Sequence, residues 1–202
     1  FELNKIEKVD LEIKPLVGKL LLNSKTSKDQ LIQGEIFSSG TEVIRIDSKL
    51  TNNVQKITIA SSGNVTLPSR NANNGFPWEL ELNPDIPYIL NVEQIIGSQK
   101  LQLSGLELEE LNSKLVIGSM EIALPDIENL SGNLECIIGE LVIIVPEDLP
   151  VRFKIDSGMT GISFSDNFIR EGDVIYSKNA KPNLAEQINI NIPMGSLNIK
   201  NP

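Results

Sequence analysis

The sequence predicts an all-β fold built as a stack of strand repeats about 21 residues long. Three observations carry that expectation. Glycines recur at Gly97, Gly118 and Gly139, each 21 residues from the next. Apolar residues alternate with polar ones on either side of each glycine, the period of a strand with one buried face. No long segment shows capped helical periodicity; Asn183–Gln187 offers one turn at most.

In chain order, the first eighty residues are the less regular part. Strand candidates are Val9–Lys14, Lys19–Leu22, Glu42–Ile46, Lys56–Ala60 and Asn64–Leu67, separated by turn signals such as Ser38-Ser39-Gly40 and Ser61-Ser62-Gly63. Gly18, Gly40 and Gly63, 22 and 23 residues apart, suggest diverged copies of the repeat. The polar run from Asn71 to Pro77 is the expected seam between an N-terminal β region, 1–75, and a repeat region, 76–202, within one continuous domain. Whether residues 1–75 join the same stack is open at this level.

Trp78–Leu82 then alternates as an entry strand, and the repeat follows. Its three best copies are Ile95–Leu103, Val116–Leu124 and Ile137–Val145. Equivalent columns hold Ile96, Ile117 and Ile138, then Leu101, Ile122 and Ile143, then Leu103, Leu124 and Val145. Stacking places like residues above one another, so the columns need no binding function to explain them. The glycine between the two apolar half-runs marks a bend. Pro125 and Pro146 stop two strands at matched positions. A fourth copy is Ile155–Phe164 and a last one Ile190–Ile199. A leucine-rich repeat fails, because the columns of Leu106, Leu108 and Leu111 hold Ile127, Asn129 and Gly132 one period later.

Composition narrows the function. Hydrophobic residues make up 40% of the chain but aromatics only 4%, so the core is aliphatic. A net charge of −9 repels phosphate backbones and anionic membranes, which argues against nucleic-acid binding and direct adsorption to lipid. No apolar run approaches the roughly 20 residues of a membrane span. The chain begins at Phe1, not Met, and is expected to be a trimmed fragment whose leader or anchor lies outside it. The single cysteine, Cys136, sits in an apolar run and reads as a buried hydrophobe.

Chemistry finds little footing. There is no histidine, which removes His-based triads, His-ligated zinc and the commonest general base. No phosphate loop, dinucleotide fingerprint or calcium-hand loop occurs. Of the carboxylates, Glu107, Glu109 and Glu110 read as the solvated face of a strand, and Asp166, Glu171 and Asp173 as a polar hairpin loop. Trp78, Tyr88 and Tyr176 are the aromatics that could contact a glycan, Trp78 and Tyr88 first, with core or rim packing the competing use of each. Neither catalytic residues, a metal site nor a cofactor is expected. One strand departs from the pattern. Leu141–Val145 is apolar at consecutive positions, so Val142 and Ile144 give it a second apolar face. That face is either covered by the N-terminal half or open to a partner.

Several of these segments resemble one family. Leu90-Asn91-Val92 with Ile96-Gly97, then Leu101–Leu108, then the units centred on Gly118 and Gly139, are similar to the bacterial toastrack domains. So are Trp78–Pro84 and the ending Ile188–Leu197. That family is catalogued under the label "putative adhesin" and is related to LiaF-type proteins of the cell-wall-antibiotic response. The resemblance implies a right-handed, β-helix-like stack, usually tethered to the membrane, with no catalytic residues to carry over. It implies a non-catalytic cell-envelope interaction or scaffold module in envelope-stress response, with a protein partner or self-association. A surface adhesin or glycan-binding domain is the alternative, and a polysaccharide-active enzyme the last.

Overall fold

In a computed structural model, the described residues are 6–25, 29–38, 41–64, 77–128, 130–180 and 187–202. They form no helix. Thirteen strands join in one sheet. In chain order these are β1 (Lys8–Lys14), β2 (Val17–Ser24), β3 (Ile32–Ile36), β4 (Glu42–Thr51), β5 (Val54–Gly63), β6 (Pro77–Leu82) and β7 (Tyr88–Gln102). There follow β8 (Leu108–Ala123), β9 (Ser131–Ile144), β10 (Arg152–Phe164), β11 (Phe168–Glu171), β12 (Val174–Ser177) and β13 (Ile188–Lys200).

The long strands cannot be straight. The 15 residues of β7 would extend about 50 Å at the usual strand rise. Yet β8 runs parallel beside β7 after a link of only Leu103–Glu107, which reaches about 18 Å at most. The strand must therefore fold back on itself, and it does so at the glycine. Gly97, Gly118, Gly139 and Gly195 all have φ between 143° and 150°, a backbone conformation that side chains with a β-carbon rarely adopt. They lie in register on adjacent strands, with Gly18 of β2 continuing the column at one end. Each glycine packs directly against the carbonyl of the next, leaving no room for a side chain.

The bend also shifts the phase of burial. On β8, Leu111, Ser113 and Leu115 point inward before the bend, and Met120 and Ile122 after it, with Leu124 buried just past the strand's end. The step across the bend is five residues, an odd number, so both arms turn their apolar faces toward each other. The same step separates Gln94 from Gln99, Cys136 from Leu141, and Ile192 from Leu197. An aliphatic core fills the fold between the arms, with Trp78, Tyr88 and Phe153 its largest fully buried side chains. Full burial of a side chain of Leu or Ile size contributes about 1.5–3 kcal/mol, which makes this core the main source of stability. The buried Gln99 amide is satisfied across the bend: it donates to the Lys114 carbonyl (3.0 Å) and accepts from the Ser113 hydroxyl (2.7 Å).

The N-terminal half joins the same sheet. Residues 8–24 act as one rung in two pieces: β1 pairs with the first arm of β7 and β2 with the second, around a break at Pro15. Of the three glycines expected to mark diverged copies, Gly18 belongs to the column. Gly40 lies outside the described residues, and Gly63 ends β5 opposite Glu42 in an antiparallel pair. Beyond this rung the arms separate. The first continues through β5 to β4, the second through β6 to β3. The expected seam around 71–76 and strand Asn64–Leu67 fall wholly or largely outside the described residues.

The sequence order of the last copies is not their order in space. β13 lies between β9 and β10, paired parallel with both, so the fourth copy is displaced one place outward by the last. The expected polar loop over Asp166–Asp173 contains strand β11, which turns at Gly172 into β12. Strand β3 carries no clear alternation, so nothing in its sequence marks it as a strand.

Candidate contact surfaces

The outer side of the bend carries a row of apolar side chains, half-buried at Ile96 and exposed in the rest. Ile96, Ile117, Ile138, Met194 and Met159 are in register on β7, β8, β9, β13 and β10. Ile117, Ile138 and Met194 are each exposed by about 43–44%, and Met159 by 74%. At the usual strand spacing the row is about 19 Å long. Periodicity alone would bury it, because Ile117 is two residues from Leu115. The phase shift at the glycine turns it out instead. The columns of like residues were plain in the sequence; their outward direction was not.

Val142 and Ile144 lie farther along β9 on the same outer side, beyond Glu140. On β9 the outward positions run Ile138, Glu140, Val142 and Ile144, with Leu141, Ile143 and Val145 inside. Both Val142 and Ile144 are half-buried. Among the described residues their strand neighbours are Glu121 and Asn198 for Val142, and Ala123 and Lys200 for Ile144. The N-terminal half extends the stack from its far end. The Lys100–Glu121 ion pair (2.8 Å) flanks the pair on one side.

The outer face of the first arm is polar. Asn112 donates to Asn91 (3.0 Å), Asn133 to Asn112 (2.9 Å) and Asn189 to Asn133 (3.0 Å), a ladder across four strands. Lys114 pairs with Glu135 (2.6 Å) beside it, which raises the lysine's pKa. At the N-terminal end, where the arms separate, a cleft of about 570 Å³ is lined by Ile32, Ile36, Ile46, Ile57, Ile59 and Leu80 among others.

Two of the three rings that could contact a glycan are placed differently from that use. Trp78 and Tyr88 are both 0% exposed. Neither offers a face to a sugar, because each points between the arms with the aliphatic core. The Tyr88 hydroxyl donates to the Leu31 carbonyl (2.9 Å). Tyr176 lies at the surface, with the Arg152 guanidinium 4.9 Å from its ring centre and its hydroxyl donating to Glu171 (2.8 Å).

The carboxylates do not converge. Glu109 pairs with Lys8 (2.5 Å) and Glu110 accepts from Asn112 (2.8 Å), as a solvated strand face does. Among the described residues no group of three His, Cys, Asp or Glu side chains is placed to hold a metal ion. Cys136 is buried, and loss of solvation pushes its thiol up to about 11.

The comparisons follow the same outline. A family model described as "N-terminal domain of toast_rack, DUF2154" matches residues 1–144. A crystal structure of a "putative cell adhesion protein" from Clostridium sporogenes ATCC 15579 superposes with a TM-score of 0.85 at 25% identity, covering 100% of this chain and 96% of that one. A "putative adhesin" from Bacteroides fragilis NCTC 9343 aligns at 15% identity with a TM-score of 0.30, over 98% of this chain and 92% of that one. No curated protein matches the sequence.

Proposed function

Since this chain belongs to the toast_rack N-terminal domain family, we propose that it is a non-catalytic, adhesin-like contact module of the cell envelope. The observation that carries the proposal is the apolar row on the bend, Ile117, Ile138 and Met194, joined on β9 by Val142 and Ile144. An exposed run of large apolar side chains on a rigid sheet fits protein contact. The similarity over the whole chain to a protein named for cell adhesion supports the same class. Tethering to the membrane through a segment outside this chain, and a part in the response to cell-wall-active antibiotics, are the finer form of the proposal. They rest on the resemblance to toastrack domains, a family related to LiaF-type proteins.

The test is binding of the purified chain to washed bacterial envelopes, measured as a saturation curve. An Ile117→Glu/Ile138→Glu variant is expected to lose affinity tenfold or more, and Val142→Glu/Ile144→Glu to lose a smaller part. Unchanged binding by both variants, with circular dichroism showing them folded, would remove these surfaces from the function. An Asn112→Lys variant, on the polar face of the first arm, should bind as wild type.

A further inference from the structure

The stack ends unevenly. Among the described residues, only Phe153 and Lys154 of β10 pair with a strand on both sides, β12 and β13. Among the described residues, Met159–Phe164 pair with β13 alone. The Ser165 N–H bonds back to the Ile199 carbonyl of β13 (3.0 Å). By the strand's period of two, the backbone groups of Thr160, Ile162 and Phe164 face the open side. The edge is also bare of side chains: Met159 is 74% exposed, Phe164 37%, and a β-carbon on Gly161 would meet nothing within 4 Å.

Soluble proteins ordinarily blunt such an edge with charge, proline or brevity. The other edges of this sheet are so protected. β4 carries Arg45, Asp47 and Lys49, β11 carries Arg170 and Glu171, and β3 is five residues long with Glu35 within it. Ser157–Phe164 has neither a charge nor a proline, in a chain of net charge −9.

We propose that this edge pairs, antiparallel about a twofold axis, with the same edge of a second copy of the chain. A strand laid against its own copy brings like residues near each other around the axis, and a neutral edge does so without like-charge contact. Two copies meeting over most of the remaining surface would oppose net negative charge. The β11–β12 hairpin lies beside the first arm of β10, so in a twofold pair the two hairpins sit at opposite ends and leave the second arms free to meet. This inference is independent of the adhesin-like reading and concerns a different face from the middle of the apolar row.

The experiment is sedimentation equilibrium of this chain across the micromolar to submillimolar range. The expected result is a mass rising to twice the 22.2 kDa chain, with hydrogen exchange at Thr160, Ile162 and Phe164 slowing as the dimer fills. A Met159→Lys/Ser163→Lys variant, changed only at exposed positions, should remain a folded monomer throughout. A Val43→Lys variant, exposed on β4, should still dimerise. A wild type monomeric at every concentration would assign the edge to a different chain or to none and overturn the proposal. A dimer that survives the paired lysines, or is lost in Val43→Lys, would overturn it by moving the contact elsewhere.

Discussion

Gly118 lies against Gly97 so closely that a β-carbon on Gly118 would overlap the Gly97 carbonyl oxygen. Gly139 stands in the same relation to Gly118, and Gly195 to Gly139. The obstacle is backbone, which no rotamer change relieves. Gly118→Ala adds that overlap to a φ of 144°, and is expected to cost about 3 kcal/mol or more. Gly161→Ala, on the same sheet with open space around it, should fall within about 0.5 kcal/mol of wild type. Urea unfolding of the two variants checks the contrast.

Tyr88 gives a pH-dependent prediction. Burial holds its phenol well above the usual value of 10. A group whose folded pKa is raised contributes stability in full below its unfolded pKa and loses it as pH rises through the folded value. Stability should therefore be insensitive to this group up to about pH 10, then fall by up to about 1.4 kcal/mol per pH unit. Tyr88→Phe removes the bond to Leu31 and should cost about 1 kcal/mol at neutral pH. It should also flatten the alkaline fall. Thermal unfolding from pH 7 to 11 measures both.

Cys136 should be silent in the native protein. It is buried and its thiol is pushed up to about 11, so thiolate is scarce at neutral pH and access is closed. A thiol reagent at pH 8 is expected to label native chain only at the rate of unfolding, and one thiol per chain at once in denaturant. Rapid native labelling would contradict the packing at this position.

The asparagine ladder tests the polar face. Asn112 donates to Asn91 and Glu110 and accepts from Asn133. Asn112→Asp can accept but not donate, and sets a carboxylate beside Glu110. A cost of about 1–2 kcal/mol is expected at pH 7. Its neighbours would raise the new carboxyl's folded pKa, so part of that loss should return as pH falls below about 5. Comparison of urea midpoints at pH 7 and pH 4.5 against wild type reads the recovery.

The repeat was legible because its cause is local. A bend demanding positive φ selects glycine, and stacked bends select it at a constant spacing, so Gly97, Gly118 and Gly139 stand out unaided. Gly18 was harder, since Pro15 splits its rung into β1 and β2. The place of β13 could not be read at all. Met194-Gly195 fits beside Ile138-Gly139 and beside Met159-Thr160 alike, and nothing within the segment ranks the two. The direction of Ile117 and Ile138 was hidden for a different reason. A period of two runs unbroken only through an unbent strand, and these residues sit where the phase changes. For Val142 and Ile144 the doubled apolar face was visible. That the N-terminal half would extend the stack from its far end depends on pairings some eighty residues apart in sequence, such as Gly18 with Gly97.

The insertion of β13 between β9 and β10 sets a timetable for the chain. Synthesis runs from the N-terminus, so β7, β8 and β9 can assemble in order as they emerge. β10, β11 and β12 are made next, but the strand they dock on does not yet exist. Until residues 188–200 leave the ribosome, β9 keeps one bare edge and the β10 hairpin segment has no seat. Strand β13 is thus the keystone of the fold: a chain stopped before it leaves two unpaired edges, and the stack closes only once residues 188–200 have been made.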